Sequence, residues 1–204
     1  MPSADTLTRS FFERPVLEVA SDLLGALFVH GAVAVRLTEV EAYDGANDPA
    51  SHAYRGLTPR TTVMFGPPGH LYVYFTYGLH HCANLVCGPE GTASAVLLRA
   101  GEVVAGLSDA RSHRPTVAKD TALARGPANL VRALGLGPEH NGVDVIGRGP
   151  VRIQAGTSRE TEIRSGPRVG VSAGATRPWR FWLADESTVS AYRAGTRRRR
   201  DGGR

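Results

Sequence analysis

The stretch "HLYVYFTYGLHHCANLVC", from His70 to Cys87, constrains the fold more than any other part of this 204-residue chain. Its first half is rich in aromatic and β-branched residues, which favour strands, and a glycine interrupts it where a tight turn would lie. The pattern predicts two antiparallel strands joined around Tyr77–Gly78. Because side chains alternate along a strand, Tyr72 and Tyr74 share one face, whereas Tyr77 falls on the other face at the turn.

Further strands and helices are predicted on both sides of this hairpin. The segment "RPVLEVASDLLG" has a proline suited to the first turn of a helix and a glycine suited to its end, and its apolar stripe would cover a sheet. Another hairpin is predicted at "ALFVH" and "VAVRLTEVEAY", and the nearly continuous apolar run "ASAVLLRA" predicts a central strand. The remaining predictions are helices at "GEVVAGLSDAR" and "RGPANLVRALGLG", a long loop at "DGANDPASHAYRGLTPRT" and short strands at "VRIQAG", "RVGVSAG" and "PWRFWLA".

The strand "VAVRLTEVEAY" alternates with a period of two, so that Val33, Val35 and Leu37 share a face. The same phase, followed onward, places Glu39 and Glu41 in line with these apolar residues. A bulge in the strand would change that alignment.

These elements predict an α/β (α+β) fold with a curved, mainly antiparallel sheet, or an open barrel, and flanking helices. The length suits one domain better than two. We expect residues 1–196 to form this domain and the arginine-rich residues 197–204 to be a disordered tail.

Charge and cysteine content limit the function classes only weakly. The net charge is +5, but residues 197–204 contribute +4 of it, so the charge alone is a poor indication of nucleic-acid binding. The two cysteines form neither a disulfide framework nor a zinc motif, and the chain has no apolar run that would span a bilayer and no signal segment. We therefore expect a cytoplasmic protein.

Glu41 and Arg99 are the residues best suited to chemistry. Glu41 lies at the end of a strand among apolar neighbours, which suits a general base. Arg99 ends the buried-looking strand and must be paired or face a cavity, because burial of a lone charge is costly. A plain salt bridge between the two residues, and a pair that holds a water, remain equally open.

Several aromatic side chains near these strands have either a structural or a binding interpretation. Rings in sheets usually belong to the core, which is the simpler interpretation of Tyr72. Yet Tyr43, Tyr74 and His52 would also suit a pocket that sandwiches a nucleobase, with Tyr77 able to wedge into a base stack. Electron-rich rings would favour a cationic base.

Two further features, a histidine pair and a helix start, could bind a metal or an anion. His80 and His81 point to opposite faces of a strand and have no accompanying metal motif, so no metal site is predicted. The helix start at Arg125 and Gly126 would suit a DNA phosphate, or would simply cap the helix.

The combined motifs resemble the alkyladenine (3-methyladenine) DNA glycosylase family of the vertebrate type, which is distinct from the helix-hairpin-helix glycosylases. The matching segments run in order from about Phe11 to Leu183. They are "EVEAYDGANDPASHAYRGLTPRTTVMF", "PGHLYVYFTYGLHHCANLV", "ASAVLLRA", "LARGPANLVRALGL" and "RVGV" followed by "WRFWL". One departure is His80, where vertebrate members have a tyrosine.

The resemblance implies a role for each matching residue. Glu41 is similar to the base that activates water, Arg99 to the arginine that helps hold this water, and the backbone carbonyl of Val169 would be a third contact. The implied lining of the base pocket is formed by Tyr43 and Tyr74 on the two faces of the flipped base, His52 at its edge and Asn84. Tyr77 matches the side chain that fills the gap in the duplex.

The implied reaction is hydrolysis of the N-glycosidic bond of an alkylated or deaminated purine in duplex DNA, by a monomer without a metal or cofactor. The only lysine, Lys119, lies in a polar loop, so no lyase step is expected. Two alternatives remain open from the residues. One is a non-catalytic protein that recognises distorted DNA through Tyr77, and the other is a metal-dependent hydrolase that uses His80 or His81.

Overall fold

A computed structural model describes residues 6–76, 78–156 and 161–195 of the chain. Tyr77 and the expected tail at 197–204 lie outside the described residues. The α-helices are α1 (Arg9–Phe12), α2 (Val16–Asp22), α3 (Leu107–His113) and α4 (Pro127–Ala133). The strands are β1 (Leu27–His30), β2 (Val33–Asp44), β3 (Leu71–Thr76), β4 (His80–Cys87), β5 (Ser94–Ala105), β6 (Val151–Gln154), β7 (Ile163–Gly166) and β8 (Arg180–Leu183). Short 3-10 helices span Gly45–Asn47, Thr62–Phe65, Asp120–Ala122 and Pro138–His140.

The strands form one antiparallel sheet in the order β3-β4-β5-β2-β1-β6, and β8 pairs with both β2 and β7. Both predicted hairpins are present, and β5 lies in the interior of the sheet as its apolar sequence predicts. The α+β fold class with an antiparallel sheet is confirmed. Within the described residues, no helix combines the length and apolar character needed to cross a bilayer.

Helices cover the apolar face of the sheet. Val16, Val19 and Ala20 of α2 are buried in the same core cluster as β2 and β5, and Leu130 and Val131 of α4 join that cluster. Each fully buried side chain of the size of valine or leucine contributes about 1.5–3 kcal/mol relative to an exposed one. The short helices therefore depend on this packing rather than on their own propensity.

The predicted helix at "GEVVAGLSDAR" is wrong in its first half. Strand β5 continues through Ala105, and α3 begins only at Leu107. The reason is tertiary: β2 is long enough to pair with β5 as far as the Ala34–Ala105 contact. Ladder hydrogen bonds along a neighbouring strand thus override the local helical pattern.

The predicted strand at "RVGVSAG" is also wrong. Residues 168–171 form a loop between β7 and β8, and the strand lies earlier, at Ile163–Gly166. The amide of Val169 does not join a ladder; it donates to the side chain of Glu41 instead.

A bulge in β2 decides where its acidic residues point. The pairing with β5 shifts between Leu37 and Glu39, so that Thr38 is an extra residue. Leu37, Val40 and Ala42 belong to the same core cluster. The simple alternation that would have aligned Glu39 and Glu41 with this apolar face therefore does not hold, and both carboxylates lie on the other face.

Candidate active site

Most of the residues singled out in the sequence line one cavity. It has a volume of about 430 Å³ and is bordered by strands β2 to β5, by the start of α4 and by the loop after β7. Its lining includes Tyr43, His52, Tyr74, Asn84, Arg99 and Val169. The volume lies within the range of small-molecule sites in proteins.

Glu41 lies directly behind this lining. Its carboxylate is fully buried and is held by residues that themselves line the cavity. The Val169 N–H donates to Oε1 at 2.7 Å, the Tyr43 hydroxyl donates to Oε2 at 2.8 Å, and Arg99 Nη1 lies 3.3 Å from Oε1. Burial raises the pKa of Glu41 above its usual value, although Arg99, the Val169 N–H and Tyr43 act against this rise. A carboxyl group with a raised pKa at a cavity is well suited to accept a proton.

Glu39 is a functional candidate that the sequence argument missed. Its carboxylate is fully buried and accepts from Arg99 Nε at 2.7 Å, from Arg180 Nε at 2.7 Å and from the backbone N–H of Ser190 at 2.7 Å. Glu39 thereby fixes the guanidinium of Arg99 so that Nη1 faces Glu41. Its position two residues before Glu41 could have identified it from the sequence, because alternation along a strand places both carboxylates on one face.

Two stacked tyrosines and a histidine form another part of the cavity wall. The ring centroids of Tyr72 and Tyr74 lie 5.5 Å apart with an angle of 28° between the ring planes, and His52 meets Tyr74 edge to face at 4.6 Å. Tyr72 is 1% exposed, and its hydroxyl lies 3.2 Å from His52 Nδ1. Partial burial, helped by the charge of Arg60, lowers the pKa of His52 to about 4. His52 is therefore neutral at neutral pH and can act as a hydrogen-bond donor or acceptor.

Asn84 lies on β4 directly opposite Tyr72, where it is 5% exposed. Its Nδ2 donates to the backbone carbonyl of Tyr72 at 3.1 Å, which fixes the orientation of the amide. His80, Cys82 and Met64 also line the cavity, and the residues alone gave no sign that Cys82 and Met64 belong to it.

The remaining predicted residues lie at the margin of the cavity or outside the described part of the chain. Gly126 is the N-cap of α4, whose Pro127 and Ala128 line the cavity, and the guanidinium of Arg125 donates to the carbonyl of Ser187. The role of Arg125 and Gly126 toward phosphate stays a prediction. The wedge role of Tyr77 falls on a residue that is not described.

The chain is similar in sequence to known proteins over most of its length. The model of the methylpurine-DNA glycosylase family matches residues 10–187. A protein of Streptomyces avermitilis is 55% identical over 207 residues, which cover 98% of this chain and 97% of that protein. A protein of Frankia casuarinae is 52% identical (93% and 94% covered), and one of Cutibacterium acnes is 53% identical (88% and 96% covered). All three carry the name "Putative 3-methyladenine DNA glycosylase".

The resemblance found in the sequence is confirmed by a family match that spans most of the chain. The chain belongs to the methylpurine-DNA glycosylase family and is a DNA glycosylase of base-excision repair.

Proposed function

We propose that this glycosylase removes alkylated or deaminated purines from duplex DNA, with Glu41 as the base that activates water. The observation that carries the proposal is the position of Glu41: a buried carboxylate with a raised pKa, held by three groups that line a cavity. The names of the relatives point to 3-methyladenine as one substrate.

The proposed reaction is a hydrolysis at the anomeric carbon of the flipped nucleotide. The oxygen of a water bonds to this carbon while the N-glycosidic bond breaks, and the bonding electron pair leaves with the purine. Glu41 accepts the proton of the water, and its negative charge stabilises the cationic sugar as it forms. Arg99, which lines the cavity beside Glu41, and the backbone carbonyl of Val169 complete the proposed water site.

The proposed base pocket uses the aromatic lining of the cavity. Tyr43 and Tyr74 stack on the flipped base, neutral His52 contacts its edge, and Asn84 opposes the exocyclic amino group of normal guanine. A damaged pair costs less to open than a normal one, which adds selectivity. We further propose that Tyr77 fills the gap left in the duplex and that Arg125 and Gly126 contact a phosphate.

We also propose that the protein acts as a monomer and works at the nucleoid. A monomer suits a protein that scans DNA, which supports the first point. The DNA substrate supports the second.

The test is incubation of the protein with a duplex that carries one hypoxanthine or one ethenoadenine, followed by alkali. The proposal predicts a strand break at the damaged position, because alkali cleaves an abasic site. A duplex that binds the protein but stays intact after alkali would instead favour the non-catalytic alternative.

A further inference from the structure

Arg168 is a buried cation beside the cavity that the proposed reaction does not use. Its side chain is 1% exposed, and it does not appear in the cavity lining, although the next residue, Val169, does. Both terminal nitrogens of its guanidinium bind the carboxylate of Asp48, which is itself fully buried, with Nη2 2.8 Å from Oδ1. Nη1 also donates to the backbone carbonyl of Ala42 at 2.9 Å.

The same guanidinium lies against the ring of Tyr43. Its central carbon is 4.5 Å from the centroid of Tyr43 and 5.2 Å from that of Trp179, so it is in contact with both aromatic rings. The guanidinium carbon of Arg177 lies 4.4 Å from the centroid of the same Trp179 ring. Since Tyr43 lines the cavity and Arg168 does not, the guanidinium supports the ring from its buried side.

Stability alone does not account for this ion pair. Replacement of a buried ion pair by apolar residues of similar volume is often neutral or stabilising, because both charges must be removed from water. The ion pair instead fixes the orientation of the groups around it. A bidentate arginine–carboxylate contact fixes the plane of the guanidinium, and with it the position of everything that this plane touches.

We propose that Arg168, held by Asp48, is a positioning residue that fixes two parts of the active site at once, the ring plane of Tyr43 and the backbone N–H of Val169 that binds Glu41. This inference rests on the proposed roles of Tyr43 and Glu41. The arginine acts through these residues and does not itself touch the substrate.

The first test variants are Arg168→Lys, which keeps the charge but loses the planar bidentate contact, and the double variant Asp48→Asn/Arg168→Met, which removes both charges so that neither is left uncompensated. Excision of hypoxanthine is measured in single turnover, and binding of undamaged duplex is measured separately. We expect a rate loss of roughly 10- to 100-fold in both variants, because a misplacement of about 1 Å costs this much. Binding of undamaged DNA is expected to change less than about threefold, since Arg168 is buried.

The pH profile separates positioning from a general loss of stability. Excision requires ionised Glu41, so the rate falls at low pH. The charged and titratable groups around Glu41 are Arg99 on β5, Glu39 and Tyr43 on β2, Cys82 on β4 and Arg168 itself. The Val169 N–H lowers the pKa of Glu41, so loss of this hydrogen bond raises the pKa and moves the acidic limb to higher pH. Arg168→Lys keeps the positive charge near Glu41. A shift of the acidic limb in this variant therefore reports a change in geometry and not a loss of charge.

Arg177→Met is the matched control, because Arg177 stacks on the same Trp179 ring and lies 3.8 Å from Asp48 but touches neither Tyr43 nor Ala42 in the described contacts, so its removal leaves the bidentate Asp48–Arg168 contact in place. A wild-type rate and pH profile are expected for it. The inference is overturned if the two Arg168 variants fold, as checked by thermal unfolding, and retain both the wild-type rate and the wild-type acidic limb. It is also overturned if Arg177→Met loses as much activity. A wild-type protein that releases no base would instead reject the proposed function and, with it, this inference.

Discussion

Two carboxylates of β2, only two residues apart, have pKa values shifted in opposite directions. For Glu41, burial dominates and raises the pKa. Burial also acts to raise the pKa of Glu39, but the charges of Arg99 and Arg180 and the Ser190 N–H outweigh it, so the pKa is lowered. This difference assigns distinct tasks to the two residues: Glu39 stays ionised as an anchor, and Glu41 can accept a proton.

Glu39→Gln therefore tests the anchor. We expect a loss of about 3–5 kcal/mol in the free energy of unfolding, because Arg180 would lose its carboxylate partner and Arg99 would keep only Glu41, which leaves one buried charge uncompensated. Urea unfolding of the variant and the wild type measures this difference. The control is Glu102→Gln, which removes a half-exposed carboxylate that pairs with Arg36 and is expected to cost less than about 1 kcal/mol. Equal losses in the two variants would contradict the anchor role.

Among the secondary-structure elements, those determined by local sequence patterns were predicted correctly. Features that pairing with a neighbouring strand imposes were missed. Both hairpins, α2, α4 and the interior position of β5 followed from alternation, apolar runs and capping residues. The extension of β5 to Ala105 and the bulge at Thr38 depend on the register between β2 and β5, which has no local signal. That bulge sets which face the carboxylates occupy, so the active site depends on an irregularity that alternation could not predict.

Gly101→Ala tests the extension of β5. A Cβ at this position would lie 2.4 Å from the carbonyl oxygen of Arg36 and 2.4 Å from Val35 Cγ1, so the strand predicts a destabilisation of about 1–3 kcal/mol. A helix at this position would predict the opposite sign, because alanine stabilises a helix relative to glycine by about 1 kcal/mol. Gly66→Ala is the matched control, since its nearest contact would be an ordinary 3.4 Å. Thermal unfolding measures whether Gly101→Ala is less or more stable than the wild type. A stabilised variant would contradict the strand.

Across the whole molecule, the candidate site is assembled from distant segments. Glu41, Tyr74, Arg99 and Val169 come from β2, β3, β5 and the loop after β7. Family motifs made it possible to name these residues from the sequence. The contacts that hold them could not be predicted in this way, because Asp48–Arg168 and Glu39–Arg180 join residues more than 100 positions apart.

A further prediction concerns the C-terminal arginines and the salt dependence of DNA affinity. Residues 197–204 carry +4 of the net +5, and their removal should reduce the salt dependence of DNA affinity. Each phosphate contact that is lost reduces the slope of log K against log salt by about 0.9. Titrations of undamaged duplex at several salt concentrations measure the slope of the full chain and of the chain truncated after residue 196. An unchanged slope would mean that the arginines do not contact DNA.

The most direct test of the whole account is Glu41→Gln, assayed on a duplex with a single hypoxanthine. Glutamine keeps the size of the side chain but cannot serve as the base. The account predicts that base release falls by about 100- to 10,000-fold while affinity for the damaged duplex stays within a few-fold of the wild type. A variant that releases hypoxanthine at the wild-type rate would contradict it.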